Sequence, residues 1–151
     1  MTRVPDPDGA PVARITIHAG AAPAVEAFLA QRIEEYNGLL TGRFDGLDFS
    51  AAHRDGSGRI RAGICGYTWG GCCHITYLWV HEAWRGKGLG ATLLAAAEEH
   101  ARAQRCEVAF VATHSFQAPD FYRRLGYVTR AVVTDDPVGH ASIVLAKLLR
   151  E

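Results

Sequence analysis

The residues with the clearest chemical promise are Arg85, Gly86, Lys87, Gly88, Leu89 and Gly90, read as RGKGLG in the middle of the chain. Three glycines interleaved with two cations, placed where a helix begins, make a site for an anion. The first amides of a helix have no partner within it, the positive end of its dipole points the same way, and glycine lets a phosphate approach the backbone. The stretch predicts a phosphate-bearing ligand. Gly86 to Ala91 also formally satisfies the dinucleotide fingerprint G-x-G-x-x-G/A, but that fingerprint should follow its strand at once and open a βαβαβ unit. Here five residues separate Val80 from Gly86, and the chain beyond Gly90 is short for such a unit. A P-loop fails because no Gly-Lys-Ser/Thr follows the glycines.

Other reactive side chains are scattered. Of the four cysteines, Cys65, Cys72, Cys73 and Cys106, the adjacent pair in a strand-like stretch must point to opposite faces, which suits neither a disulfide framework nor a C-x-x-C metal site. They read as small apolar fillers in a reducing compartment. The seven histidines show no ligand spacing, so no metal is expected.

The elements that must position the glycine loop follow from periodicity. Ile75 to Val80 is rich in β-branched and aromatic residues and reads as a strand, while Leu93, Ala97 and Ala101 recur every four positions and read as a helix from Leu89. Residues 1–11 hold three of the six prolines and read as a mobile or extended tail. Val12 to His18 alternates as a first strand, and a helix follows from Pro23 with Asn37-Gly38 as its stop. Phe44 to His53 and Arg59 to Trp69 form a hairpin about Arg54-Asp55-Gly56-Ser57-Gly58. After Gly70-Gly71 come the central strand, the helix and a parallel strand from Cys106 to Thr113. A short helix from Ala118-Pro119 to Leu125, then strands Tyr127–Thr134 and Ser142–Leu148, complete the order. The expected fold is α/β, a mixed sheet of six or seven strands with helices on both faces, in one domain over 12–151. At 151 residues and 48% apolar composition the chain can bury a real core. Sixteen basic and sixteen acidic side chains cancel, so nothing in the net charge suggests a nucleic-acid or anionic-membrane partner. With no long apolar run and no signal-like start, a soluble cytoplasmic protein is expected.

Arg85, Gly88 and Gly90, in the pattern Arg-x-x-Gly-x-Gly after a strand, resemble the pyrophosphate loop of the GNAT superfamily of acyl-CoA-dependent N-acetyltransferases. Phe121 to Tyr127, FYRRLGY, is similar to that family's second signature, a helix bearing a tyrosine and closing on Leu-Gly-aromatic. The resemblance covers about Arg59 to Leu149 and implies a set of roles. Amides from Gly86 through Ala91 (Gly86, Lys87, Gly88, Leu89, Gly90, Ala91) would hold the pyrophosphate of acetyl-CoA, with Arg85 and Lys87 adding charge. The pantetheine arm would exchange amide hydrogen bonds with Leu78, Trp79 and Val80, and the Val80 N–H would face the thioester oxygen. Tyr122 matches the general acid for the leaving thiolate. Ser115 stands where many members carry an Asn that helps hold the coenzyme. Some histone-modifying members use a Glu as base on the central strand six residues before its last valine, and that position is His74; period two would put His74, Thr76, Leu78 and Val80 on one face. His81, His114 and His140 are secondary candidates, and Glu82 reads as a solvated turn residue.

The reading that results is an N-acetyltransferase moving an acetyl group from acetyl-CoA to a primary amine of a small molecule in a ternary complex. The alternatives are a protein or peptide acetyltransferase and a non-catalytic acyl-CoA-binding module. Glu34, Glu35, Asp45, Asp48, Asp135 and Asp136 lie in segments expected to build the acceptor site. The partners are acetyl-CoA and the amine, with homodimer formation left open.

Overall fold

A computed structural model describes residues 15–150, which fall into two compact units, one up to Asn37 and one from Gly38. The expected tail and Val12 to Arg14 lie outside the described residues. Ile15 to His18 carry no strand pairing, so the described part of the expected first strand is irregular. Helix α1, Pro23–Thr41, starts on its proline as expected but runs through Asn37-Gly38. Gly38 lies within the helix instead of ending it, and the Phe44 ring packs where a side chain at 38 would project, which accounts for the glycine there.

The unit from Gly38 is built on a six-stranded sheet in the order β1-β2-β3-β4-β6-β5. The strands are β1 Leu47–Arg54, β2 Ile60–Trp69, β3 Cys72–Val80, β4 Val108–His114, β5 Val128–Thr134 and β6 Ala141–Leu148. Every neighbouring pair is antiparallel except β3 and β4. The β1–β2 turn is held by the Asp55 carboxylate, which accepts from the Ser57 hydroxyl and from Arg61 Nε, each at 2.6 Å, and from the Ser57 and Arg59 amides. Those bonds hold its pKa well below the carboxylate range.

Helix α2, Leu89–Ala103, carries the chain from β3 to the parallel β4 and packs Leu93, Leu94, Ala97 and Ala101 on the sheet against Ile64, Cys73, Ile75, Ala109, Val111 and Leu145. The short α3, Pro119–Arg124, brings Tyr122 into the same cluster. One charge lies within it. Glu98, 6% exposed on α2, accepts two bonds from Lys147 of β6 at 3.0 and 2.8 Å, so the helix is tied to the sheet by an ion pair as well as by apolar contact.

Two irregularities in β3 make the rest of the molecule possible. Its ladder with β2 slips between Cys65 and Gly66, where Cys65 faces Tyr77 and Gly66 faces Ile75, leaving Thr76 as an extra residue. A bulge of this kind reverses which face the following side chains take. The parallel ladder with β4 then stops after four pairs, at Ile75 with Val111. Beyond that point the two strands part.

Candidate active site

The parting of β3 and β4 opens a cleft of about 890 Å³, in the range usual for small-molecule sites. One wall is Ile75 to Val80. The other is Val111 to Thr113 with Ala118, Phe121 and Tyr122, and Trp84 to Gly86 with Gly88 to Ala91 close the end, while Lys87 between them is not part of the lining.

The alternation of the β2–β3 ladder decides what β3 offers to the cleft. The His81 amide donates to Arg61 O at 2.8 Å, which makes Trp79 and Tyr77 the residues bonded to β2 and turns the N–H and C=O of Leu78 and Val80 to the open edge. Arg85 Nε already donates to Val80 O from that side, at 2.9 Å. The Leu78 and Val80 amides thus face a space with no strand in it, which in a sheet is a cost unless another molecule supplies partners. Trp79 borders the cleft too, but its own polar groups turn to β2.

The glycine loop follows a single 3-10 turn, Glu82–Trp84, capped by His81 Nδ1, which accepts from the Ala83 amide at 3.2 Å. This bond gives His81 a structural task. Gly86 and Gly88 have φ of 72° and 80°, and a side chain built on either would meet nothing within 4 Å. Both positions therefore need glycine for backbone reasons and leave open space in front of the loop. Thr92 is the first residue whose amide closes onto the helix, at Gly88 O, so the amides of Leu89, Gly90 and Ala91 precede the first turn's bonds. Arg85 lines the cleft with its Nε bound to the strand end, and Lys87 lies 5.7 Å above the Trp84 ring.

Tyr122 is 6% exposed and borders the cleft. Its ring meets Phe121 and Tyr127 edge-on, at 5.0 and 5.7 Å between centroids, and burial pushes its pKa above the usual value. A phenol so placed stays protonated and can donate.

Besides Lys87, two expected residues are not brought to this cleft. The bulge at Thr76 corrects the period-two reading: His74 lies on the face opposite Leu78 and Val80, its ring stacked between Tyr67 at 4.7 Å and Phe110 at 5.3 Å. Burial lowers its pKa. Ser115 is also not part of the lining; its amide donates to Ala141 O and its Oγ accepts from the Ala141 amide at 3.1 Å, which ties the end of β4 to the start of β6. His114 and His140 gather on Phe116, one stacked and one edge-on, at the border of the cleft. The acidic candidates Asp45, Asp48, Asp135 and Asp136 do not line it either. Asp45 accepts from the Gly70 amide and Asp135 from the Gly139 amide, while Glu35 of α1 pairs with Arg32. Sequence reasoning missed Trp84, Phe116, Phe121 and Arg124 as lining residues. Only Phe121 and Arg124 carried a signal, as members of the second motif.

Cys73 is fully buried, and burial above all pushes its thiol up to about 12, with Cys106 and Glu98 adding to the effect; the Cys106 thiol is raised for the same main reason. A thiol held protonated is a poor nucleophile. No helix among the described residues is long and apolar enough to cross a membrane.

Comparison with known proteins adds to this geometry. The sequence profile of the acetyltransferase (GNAT) family matches residues 21–127. The blasticidin-S acetyltransferase of Streptomyces morookaense is 41% identical over 93 residues, 61% of this chain and 68% of that protein. Acetyltransferase Atu2258 of Agrobacterium fabrum is 35% identical over 92 residues, 61% of this chain and 67% of that protein. Among solved structures, an acetyltransferase from Bacillus cereus superposes with a TM-score of 0.74 at 29% identity, covering 89% of this chain and 97% of that one.

Proposed function

The chain belongs to the GNAT acetyltransferase family, and from that premise we propose that it transfers the acetyl group of acetyl-CoA to a primary amine of a small molecule, by direct attack in a ternary complex. The observation that carries this reading is the open edge of β3. Leu78 and Val80 present unpaired amides to a cleft whose end is the glycine loop, so one elongated ligand with amides along its arm and a pyrophosphate at its end satisfies both. The small-molecule acceptor draws support from the relative named for its action on blasticidin-S.

Each group in the cleft then has a task. Amides from Gly86 to Ala91 bind the pyrophosphate, helped by the α2 dipole and the Lys87 charge. Arg85 fixes the end of β3 through Val80 O, so its first contribution is to orient the strand. As the amine nitrogen bonds to the thioester carbon, negative charge grows on the carbonyl oxygen, and the Val80 N–H donates to it. One such donor lowers the barrier by roughly 3 kcal/mol. When the carbon–sulfur bond breaks, Tyr122 gives its proton to the thiolate. The amine's own proton leaves through water, since His74 does not reach the cleft.

Thermal shift with CoA, acetyl-CoA and NAD, followed by thiol release with a panel of small amines and lysine peptides, tests the proposal. Stabilisation by the CoA compounds and turnover on small amines are expected. Stabilisation by NAD alone, or thiol release only with peptides, would overturn it.

A further inference from the structure

The cleft passes through the sheet and has two mouths. Leu78 and Val80 pack on the core at the α2 side, as do Val111 and the buried Thr113, so alternation turns Tyr77 and Trp79 of β3 and Ala112 and His114 of β4 to the other face. Tyr77, Trp79 and Ala112 nevertheless line the same cleft, and Phe116, stacked on His114 at 5.3 Å, lines it beside them. The α2-side mouth is walled by the glycine loop, Phe121 and Tyr122. The other mouth is aromatic. Tyr77, Trp79 and Phe116 are 73%, 49% and 56% exposed, which gathers a large amount of apolar ring surface around one opening.

The surroundings of this mouth are held by packing. Phe116 lies between two imidazoles, His114 face to face and His140 edge-on at 4.8 Å, and His114 Nδ1 donates to Asp136 O at 3.1 Å, which ties the stack to the β5–β6 turn. On the same face, where β3 and β4 begin to part, Tyr67, His74 and Phe110 stack as one row across β2, β3 and β4 and stiffen the base of the opening. A flat ring entering between Tyr77 and Phe116 can stack on one aromatic side chain and meet the other edge-on, whereas a puckered saturated ring of the same size loses both geometries. Tyr77 precedes Val80 by three residues, about 10 Å along the strand. A ring at Tyr77 therefore belongs several bonds away from an atom reacting beside the Val80 amide.

We infer that Tyr77 and Phe116 form an acceptor subsite for a planar ring, so that the protein prefers amines carrying an aromatic ring a few bonds from the nitrogen over saturated amines of the same size. The inference rests on the acetyl-transfer reading above: with the coenzyme on the α2 side, the amine reaches the thioester carbon through the opposite mouth. Its test is thiol release by the whole chain from acetyl-CoA with 3-phenylpropylamine, 3-cyclohexylpropylamine and propylamine. The first two match in length and in amine basicity and differ in the ring. Wild type should favour the phenyl over the cyclohexyl compound by about tenfold in kcat/KM, the effect of one or two aromatic pairings. Phe116→Leu and Tyr77→Leu should each bring that ratio within about threefold, with the KM for acetyl-CoA and the rate on propylamine unchanged. Thermal shift with acetyl-CoA checks that each variant is folded, and the more exposed Tyr77 carries the test if Phe116→Leu is not. A wild-type ratio below about twofold, a tenfold preference that survives both substitutions, or a loss of rate equal for all three amines would overturn this inference and leave acetyl transfer standing. Thiol release with none of the three would overturn both readings.

Discussion

Gly66→Ala puts the smallest possible side chain at the point on which the cleft depends. Gly66 faces Ile75 at the slip in the β2–β3 ladder, and a Cβ there would overlap the His74 carbonyl oxygen and stand 2.9 Å from Phe49 Cζ. The first obstacle is backbone, which no rotamer change relieves. The strands must part or the bulge must go. If the bulge is lost, the face of every residue from Thr76 on reverses, taking Leu78 and Val80 out of contact with the core. Both are partly buried, so about half of the usual 1.5–3 kcal/mol per apolar side chain is at stake for each, or roughly 1.5–3 kcal/mol together. That corresponds to a fall in Tm of about 5–10 °C for a domain of this size. The polar groups of Leu78 and Val80 would also turn from the cleft to β2, removing stabilisation by acetyl-CoA. Gly63→Ala serves as control on the same strand, since its Cβ would meet only the Ala51 oxygen closely, at 3.2 Å; its cost should stay under about 1 kcal/mol. Urea unfolding and thermal shift with and without acetyl-CoA measure both effects. Gly66→Ala with stability within about 0.5 kcal/mol of wild type and an undiminished response to ligand would refute the argument.

Tyr122→Phe keeps the ring contacts with Phe121 and Tyr127 but removes the donor, so kcat should fall by roughly 10²-fold with coenzyme affinity nearly unchanged; steady-state kinetics showing less than about threefold loss would return the residue to packing alone. His74→Phe preserves the stack with Tyr67 and Phe110 and should leave the rising limb of the pH–rate profile in place, with that limb moving when amines of different pKa are compared. Because burial lowers the His74 pKa, a histidine base would place its limb below the ordinary imidazole range, and loss of such a limb in His74→Phe would reverse the conclusion. Cys73 has its folded pKa raised from 9.0 to about 12, so its contribution to stability is complete below pH 9 and is lost as pH rises towards 12. Between pH 8 and 10.5 this amounts to about 2 kcal/mol. Urea unfolding of Cys73→Ala should show a correspondingly shallower alkaline decline, and an unchanged slope would reject the assignment.

The glycine loop, α2, the central strand and the short tyrosine helix were legible in the sequence because each is written in local chemistry: glycine where φ must be positive, a four-residue apolar repeat, and a β-branched run. The α1 stop was misread because Asn37-Gly38 has the chemistry of a helix end, whereas the glycine is required by the Phe44 ring pressed against it. The face of His74 was misread for a different reason. Strict alternation has no way to register Thr76 as an extra residue, since the bulge is a property of two strands and only one of them is read at a time. Ser115 was assigned by its place in a motif, but a bond to Ala141, 26 residues further on, decides where its hydroxyl goes. Nothing in the spacing of Glu98 on an otherwise apolar helix face announced that Lys147 would be opposite.

The short parallel ladder has a mechanical meaning. Between β3 and β4 only Cys72–Ile75 and Val108–Val111 are joined, against six to eight residue pairs at every other junction. The sheet is therefore two three-stranded leaves stitched along a seam at its centre, with α2 as the strap that passes from one leaf to the other. A guest bonded to Leu78 and Val80 on the first leaf and resting on Tyr122 beside the second continues the stitching where the protein leaves off. Occupancy then acts as a splint, and slowed amide exchange in both leaves would report it even in a variant with no turnover.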